Sequence, residues 1–145
     1  MTGIKIIAVG KIKENYVEEG IQEYLKRMKK RKIELIEIKD SNKKNEGLDI
    51  LNKISKMGDY VKIALDEHGE ELTSIEFSEF IKENLTKDMC FIIGGPDGID
   101  DKVFEKVDHK FALSKMTFNH EMARLFLIEQ LYRAFSIIDG KKYHR

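Results

Sequence analysis

The sequence predicts an α/β protein with a mostly parallel sheet and helices on both faces. Three observations predict it: apolar runs alternate with amphipathic stretches throughout, the single proline is Pro96, and no repeat or low-complexity segment interrupts the alternation. Apolar runs separated by helical stretches are typical of βαβ units, whose strands pair in parallel. The length of 145 residues suits one domain, which we expect to span residues 1–145.

Five strands are expected, because five short apolar runs occur and each is followed by a glycine or a polar residue. Runs of this kind suit strands that are buried on both faces of a parallel sheet. The predicted strands are Ile4–Val9, Ile33–Ile38, residues 60–65, Met89–Ile93 and a brief strand at residues 111–113.

The segments between the strands have apolar residues at helical spacing. The first helix is expected to follow a cap at Asn15, the second to end at Gly58, and the third to begin with the capping box Thr73-Ser74-Ile75-Glu76. A short helix is expected around Val103. The last helix, residues 119–138, is apolar nearly all round, which predicts burial on several sides, including cover by a second copy of the chain.

Charge and composition exclude several classes of protein. Lys and Arg total 26 and Asp and Glu total 26, so a wholly basic nucleic-acid-binding surface is excluded. Basic residues nevertheless cluster at residues 26–32 and in the C-terminal tail, Lys141-Lys142-Tyr143-His144-Arg145. Such clusters can hold a polyanion such as RNA locally, although a solvated helix end and a frayed tail would look the same.

A membrane protein and a disulfide-stabilised protein are also not expected. No apolar run approaches the ~20 residues of a membrane helix, and the start lacks the features of a signal peptide. The only cysteine, Cys90, lies within the apolar run Met89–Ile93, which predicts a buried, inert thiol in a reducing compartment. These observations predict a soluble cytoplasmic protein.

Three segments that follow predicted strands are candidates for a ligand site, because ligands of open α/β sheets bind at the carboxyl ends of the strands. The first, Leu65-Asp66-Glu67-His68-Gly69, offers an apolar floor at Leu65; its polar residues suggest a solvated turn rather than a metal site, because no second cluster of ligands stands at suitable spacing. We therefore expect no metal.

The second segment, Gly94-Gly95-Pro96-Asp97-Gly98, matches neither common phosphate-binding loop. Its paired glycines would let the backbone approach a flat ligand, although an ordinary turn also suits the sequence. The third segment, residues 113–120, mixes apolar and hydroxyl side chains that would line a pocket or fill the core. In the following helix, His120 and Arg124, and likewise Glu129 and Arg133, are four residues apart and share a face, as expected for internal pairs, an interface or a substrate-facing surface.

With these segments in view, the sequence resembles the RlmH-type 23S rRNA pseudouridine methyltransferases of the SPOUT, or α/β-knot, superfamily. The resemblance runs nearly end to end and is carried by these motifs: Ile7-Ala8-Val9-Gly10-Lys11, Ala64-Leu65-Asp66-Glu67-His68-Gly69, Phe91-Ile92-Ile93-Gly94-Gly95-Pro96-Asp97-Gly98, Leu113-Ser114-Lys115-Met116-Thr117-Phe118-Asn119-His120, Glu129-Gln130-Leu131-Tyr132-Arg133-Ala134 and Tyr143-His144-Arg145. It implies methyl transfer from S-adenosyl-L-methionine to N3 of a pseudouridine of 23S rRNA in the ribosome. It also implies a homodimer and a C-terminal trefoil knot.

The resemblance further implies which residues form the site. The implied cofactor-binding residues are Leu65, Gly94, Leu113, Ser114, Lys115, Met116, Thr117 and Phe118. The implied substrate-binding residues are Arg133, His144 and Arg145, and the candidates for catalysis are Tyr143, His144 and Arg145, with no group assigned as the base. The tail could be supplied by the partner chain.

The sequence also departs from the family pattern. Glu121 stands where glutamine is usual, Lys142 stands where proline often precedes the final tyrosine, and the region of residues 40–48 is short. Two other functions remain open from the residues themselves. One is a non-catalytic RNA- or ribosome-binding module that uses the basic clusters; the other is a nucleotide-dependent enzyme, which the absence of a phosphate-binding loop disfavours.

Overall fold

A computed structural model describes residues 2–145, in which five strands form one parallel sheet. The strands are β1 (Ile4–Val9), β2 (Ile33–Ile38), β3 (Val61–Glu71), β4 (Met89–Ile93) and β5 (His109–Ala112), in the spatial order β2-β1-β4-β3-β5. Every neighbouring pair is parallel. The predicted α/β class and mostly parallel sheet are confirmed, and β1, β2 and β4 have the predicted bounds.

Helices cover both faces of the sheet, as predicted. On one face lie α1 (Asn15–Arg27), α3 (Ser74–Glu83) and α5 (His120–Ile138), and on the other lie α2 (Lys43–Ile54) and α4 (Asp101–Phe104). A short 3₁₀ helix, Lys29–Arg31, follows α1. Among the described residues no helix is both long enough and apolar enough to cross a bilayer.

The central strands supply the core on both sides of the sheet. Ile6 and Phe91 point towards α1, α3 and α5, whereas Ile7 and Ile92 point towards α2 and α4, and all four are fully buried. Cys90 also has no exposed surface, and burial raises the pKa of its thiol to about 12. The thiol is therefore protonated at neutral pH, as expected for an inert cysteine.

The predicted cap at Asn15 is wrong. The residue at the N-cap of α1 is Glu14, and its side chain makes no capping hydrogen bond. Two amides at the entrance of the helix are bonded from α5 instead: Glu121 Oε1 accepts hydrogen bonds from the backbone N–H groups of Lys13 and Glu14, both at 3.1 Å. A side chain 107 residues away thus holds the segment that leads into α1.

The predicted capping box at the start of α3 is confirmed. The backbone N–H of Glu76 donates to Thr73 Oγ1 at 3.0 Å, and the Glu76 carboxylate accepts from the Thr73 N–H at 2.8 Å. By contrast, α2 ends at Ile54, earlier than the predicted stop at Gly58, which lies beyond the helix with a φ of +63°. The chain leaves the helix through a turn at residues 55–57 before that glycine.

The prediction of a turn at residues 66–69 is wrong, because β3 continues through this segment to Glu71. Its register against β5 shifts between Leu65 and Glu70, which lets the polar residues extend the strand. A Cβ atom at Gly69 would lie 2.7 Å from the backbone of Lys110, so the two strands can approach this closely only with glycine here. The side chain of His68 is exposed, in keeping with the expected solvation of this segment.

Candidate cofactor pocket and tail site

A pocket of about 300 Å³ opens beside the carboxyl ends of β3 and β5. The start of α3 and the middle of α5 close it from the other side. The lining residues are Leu65, Leu72, Thr73, Ser74, Phe77, Phe111, Ala112, Leu113, Phe118, Phe126, Leu127, Glu129 and Gln130. Most are apolar, and Glu129 is the single charged side chain among them.

Three of the predicted cofactor residues line this pocket. Leu65 lies on β3, Leu113 follows β5, and Phe118 closes the far side with its ring edge-on to Phe126 at a centroid distance of 4.9 Å. Their convergence follows from the parallel sheet, which brings the carboxyl ends of β3 and β5 to the same edge.

The other predicted residues of the same loop lie outside the lining. Met116 is 75% exposed, and its backbone N–H donates to Ser114 Oγ at 2.9 Å. The hydroxyl of Thr117 donates to the carboxylate of Glu67, and Lys115 Nζ lies 3.7 Å from Glu71 Oε1. These last two contacts fasten the loop to the extended half of β3.

Gly94, the remaining predicted cofactor residue, is also absent from the lining. A Cβ atom there would lie 2.7 Å from the side chain of Ile99 and 2.8 Å from the backbone of Gly98. The loop after β4 closes through a hydrogen bond from the N–H of Gly98 to the carbonyl of Gly95, at 3.0 Å. Gly94 therefore meets a packing requirement of the loop, whatever else it contacts.

A chain of hydrogen bonds forms the polar side of the pocket. Ser74 Oγ donates to Gln130 Oε1 at 2.8 Å, and Gln130 Nε2 donates to Glu129 Oε1 at 3.1 Å. Thr73, Ser74 and Gln130 escaped the sequence analysis as pocket residues. The one signal in the sequence is Gln130 itself, a polar residue beside Glu129 in a largely apolar helix.

The C-terminal tail joins the same network. Tyr143 Oη donates to Glu129 Oε2 at 2.7 Å and lies 3.1 Å from the hydroxyl of Tyr24. Arg133 donates to the same oxygen of Glu129 at 2.8 Å, and its other terminal nitrogen lies 3.0 Å from His144 Nδ1. Burial, and then the hydrogen bonds with Tyr24 and Glu129, raise the pKa of Tyr143, so its phenol stays protonated at neutral pH.

Of the four residues predicted to bind the substrate or to take part in catalysis, three lie together and Arg145 does not. Arg133, Tyr143 and His144 form one cluster at Glu129, and the guanidinium of Arg133 lies 4.9 Å from the centroid of the Tyr143 ring. Arg145 is exposed. The expected pairing of Glu129 with Arg133 is confirmed.

Arg124, which shares a helix face with His120, serves the fold. Its side chain is 2% exposed and donates to Glu37 Oε2 at 2.7 Å and to the carbonyl of Gly10 at 2.9 Å. These bonds tie α5 to the ends of β1 and β2. Within residues 2–145, no group of three or more His, Cys, Asp or Glu side chains is arranged to hold a metal ion.

Comparison with known proteins identifies the family. The sequence model described as "Predicted SPOUT methyltransferase" matches residues 2–144. The ribosomal RNA large subunit methyltransferase H of Carboxydothermus hydrogenoformans is 45% identical, and the match covers 98% of this chain and 99% of the relative. The protein of the same name from Coprothermobacter proteolyticus is 42% identical, with the same coverage of both chains.

Solved structures agree on the fold. A probable methylase family protein from Haemophilus influenzae superposes with a TM-score of 0.62 at 14% identity, over 99% of this chain and 71% of that one. The SpoU methyltransferase AviRb from Streptomyces viridochromogenes, solved in complex with the cofactor AdoMet, has a TM-score of 0.51 at 12% identity, over 96% of this chain and 58% of that one. The fold is that of a SPOUT methyltransferase. The chain belongs to that family and, within it, to the methyltransferase H group of proteins acting on large-subunit ribosomal RNA.

Proposed function

We propose that this chain is a single-domain S-adenosyl-L-methionine-dependent methyltransferase, which transfers a methyl group to N3 of a pseudouridine of 23S rRNA in the ribosome. The observation that carries the proposal is the connection, through Glu129, between the pocket at the strand ends and the tail cluster of Arg133, Tyr143 and His144. The names of the relatives support rRNA as the substrate, and the resemblance to the RlmH-type enzymes supports the nucleotide and the atom. Because the proposed substrate is the ribosome, we expect the protein to act in the cytoplasm.

The pocket suits this cofactor in size and chemistry. Its volume of about 300 Å³ is at the lower end of the ~300–1,000 Å³ of small-molecule sites. Leu65, Leu113 and Phe118 offer an apolar slot for the adenine ring, and Ser74 and Gln130 supply polar atoms at its edge. When bound, the cofactor supplies an electrophilic methyl group.

The loop of residues 113–118 would hold the cofactor in two ways. Leu113 and Phe118 would contact it through their side chains, whereas Ser114, Lys115, Met116 and Thr117 would present backbone groups. The anchors to β3, Thr117 to Glu67 and Lys115 to Glu71, keep the loop in place for this purpose. Gly94 would act through its backbone, because Ile99 and Gly98 occupy the space of a Cβ atom there.

The tail cluster would bind and orient the pseudouridine. Positioning of reacting groups at ~3–3.5 Å lowers the barrier without a covalent intermediate. Arg133 and Arg145 would hold the RNA or offset negative charge at N3, and His144 is the candidate group for removing the N3 proton. Tyr143, whose phenol stays protonated, would hold the tail on Glu129 rather than act as a base.

We also propose that the protein is a homodimer with a C-terminal trefoil knot. α5 keeps several apolar side chains only half-buried, among them Met122 and Leu125, and Tyr16 at the start of α1 is 63% exposed. A second copy on this face would bury them. In such a dimer the tail of one chain would complete the site of its partner.

Calorimetric titration with S-adenosyl-L-methionine tests the cofactor. We expect the wild type to bind, Phe118→Ala to bind about tenfold more weakly through loss of ~1–2 kcal/mol of apolar contact, and Met116→Ala to match the wild type because this side chain points away from the pocket. Absence of binding to the wild type would contradict the proposal and favour a non-catalytic RNA-binding module.

A methyl-transfer assay tests the substrate. Labelled cofactor is incubated with whole ribosomes, large subunits or free 23S rRNA, and the product nucleoside is identified by mass spectrometry. We expect the wild type to produce N3-methylpseudouridine. His144→Ala should lose this product, because His144 is the candidate group for removing the N3 proton. Methylation of another nucleoside would leave the methyltransferase class standing and overturn the specificity.

A further inference from the structure

The densest run of basic residues in the sequence lies at the end of α1 and in the turn that leads to β2, and we call residues 26–32 the basic turn. Six of its seven residues are Lys or Arg. Its two arginines are committed to the fold: Arg27 donates to Glu23 at 2.9 Å, and Arg31 donates to both carboxylate oxygens of Asp139 at 2.8 Å.

The four lysines of the turn, Lys26, Lys29, Lys30 and Lys32, are not committed in this way. All four are exposed, and none makes an ion pair or a side-chain hydrogen bond with any of residues 2–145. The two carboxylates that form ion pairs with this turn, Glu23 and Asp139, are bound to the arginines. The lysines therefore leave an uncompensated positive field on a protein whose net charge is zero.

Lys32 indicates that this charge has a purpose outside the fold. Its φ of +50° and ψ of +60° are left-handed, and it is the only non-glycine residue with positive φ in the described part of the chain. Glycine adopts this conformation without strain, whereas lysine does not. The turn uses only the backbone here, since the carbonyl of Lys32 accepts from the N–H of Ile4 at 3.1 Å. A strained residue that the fold does not need points to a function of its side chain.

The basic turn is held beside the tail and at a fixed distance from the pocket. The Arg31–Asp139 ion pair joins it to the C-terminal end of α5, where the exposed Lys141 and Lys142 follow. Asp139 lies ten residues after Glu129 at the pocket, which is about 15 Å along a helix at ~1.5 Å per residue. Along the axis of a duplex, one strand carries a phosphate every ~3.4 Å, so that distance corresponds to about four phosphates of a helical strand.

We propose that Lys26, Lys29, Lys30 and Lys32 bind the phosphate backbone of the substrate rRNA several nucleotides from the base that is methylated. The inference rests on the proposed function, because it assigns a second contact surface to the same substrate. Phosphate contacts position a nucleic acid without reading its sequence. The basic turn would therefore strengthen rRNA binding without taking part in the chemical step.

The test compares Lys30→Gln/Lys32→Gly with Lys53→Gln/Lys56→Gln. The control removes the same charge from two exposed lysines at the end of α2, on the other face of the sheet. We measure the affinity for 23S rRNA against salt concentration, KM and kcat for methylation, and the affinity for S-adenosyl-L-methionine. In the first variant we expect roughly tenfold weaker rRNA binding, a log–log salt slope smaller by about 1.4–1.8, a higher KM, and unchanged kcat and cofactor affinity. The control should match the wild type.

Stability separates a binding role from a structural one. Lys32→Gly alone should raise the urea midpoint or leave it unchanged, because glycine relieves the positive φ, while rRNA binding weakens. A lower midpoint would show that the lysine side chain stabilises the turn and would overturn the inference.

The remaining outcomes are also decisive. Equal rRNA affinity and salt slope in both double variants would overturn the inference. A changed sedimentation coefficient in the first variant would also overturn it, because the basic turn would then be a contact between subunits. A wild-type protein that binds no cofactor and methylates nothing, but loses rRNA affinity in the first variant only, would refute the proposed function and support the basic turn as an RNA surface.

Discussion

Replacement of Arg124 by methionine is the substitution from which we expect the largest loss of stability. The arginine lies on α5 with 2% of its side chain exposed, and it donates to the Gly10 carbonyl at 2.9 Å, to the Val9 carbonyl at 3.4 Å and to Glu37 at 2.7 Å. The two carbonyls belong to the end of β1, so the side chain fastens the last helix to the carboxyl end of that strand. Methionine fills similar space but donates no hydrogen bond.

The expected cost follows from the three partners and their burial. A hydrogen bond from a charged group contributes about 1.5–3 kcal/mol, and the bond to Gly10 is the well-formed one of the two to carbonyls. The ion pair contributes less, about 1 kcal/mol, because the Glu37 side chain is 43% exposed and water screens it. Burial of the guanidinium offsets part of the gain, since its Nε has no partner. The net loss for Arg124→Met should be about 2–4 kcal/mol.

Urea unfolding, followed by far-UV circular dichroism, measures this loss. With an m value of ~2 kcal/mol per M, a loss of about 3 kcal/mol lowers the midpoint by about 1.5 M. Glu37→Gln is the matched control and should cost no more than about 1 kcal/mol. Equal losses in the two variants would refute the dominance of the carbonyl bonds, and a stabilised Arg124→Met would show that the desolvation of the guanidinium outweighs everything it binds.

Three further predictions concern local features of the fold. Ellman's reagent at pH 8 should label Cys90 only as fast as the protein unfolds, because burial raises the pKa of its thiol from 9.0 to about 12; fast labelling of the native protein would contradict this prediction. The contribution of this thiol to the free energy of unfolding is full below pH 9 and declines as the pH rises towards 12. Gly69→Ala should lower the free energy of unfolding by about 1–3 kcal/mol, because the new Cβ atom meets the Lys110 backbone at 2.7 Å. An unchanged urea midpoint would show that the two strands can separate there freely. Glu121→Gln should change the free energy of unfolding by less than about 1 kcal/mol, since an amide oxygen can accept the same two N–H bonds from Lys13 and Glu14; a larger loss in thermal or urea unfolding would show that the negative charge itself stabilises the start of α1.

The strands and helices that the sequence predicts well are those whose pattern is local. β4 is a continuous apolar run, and β1 is apolar except at Lys5, because both faces of each strand are covered. Thr73 with Glu76 forms a cap within four residues. The extension of β3 beyond Leu65 escaped prediction because its pairing with β5 depends on a register shift, and its side chains are polar and exposed. Only Gly69 hints at the close approach of another strand.

The sequence likewise predicts only those parts of the candidate site that follow from a local pattern. Leu65 lies on β3, and Leu113 and Phe118 follow β5. The carboxyl ends of neighbouring parallel strands meet, so a pocket between them could be expected. Ser74 and Gln130 close that pocket from α3 and α5, and no rule of spacing brings residues 56 positions apart to a 2.8 Å hydrogen bond.

The polar residues of α5 explain why one helix connects the sheet, the pocket and the tail. The helix is largely apolar, and a buried polar side chain costs free energy unless it is bonded. Arg124 binds the end of β1, Gln130 binds the pocket rim at Ser74, and Glu129 binds both Arg133 and the tail. Glu129 and Gln130 are neighbours in sequence and therefore point about 100° apart, one towards the tail and one towards α3. Their hydrogen bond at 3.1 Å joins the two directions, so the wall of the pocket and the seat of the tail are held by one rigid element.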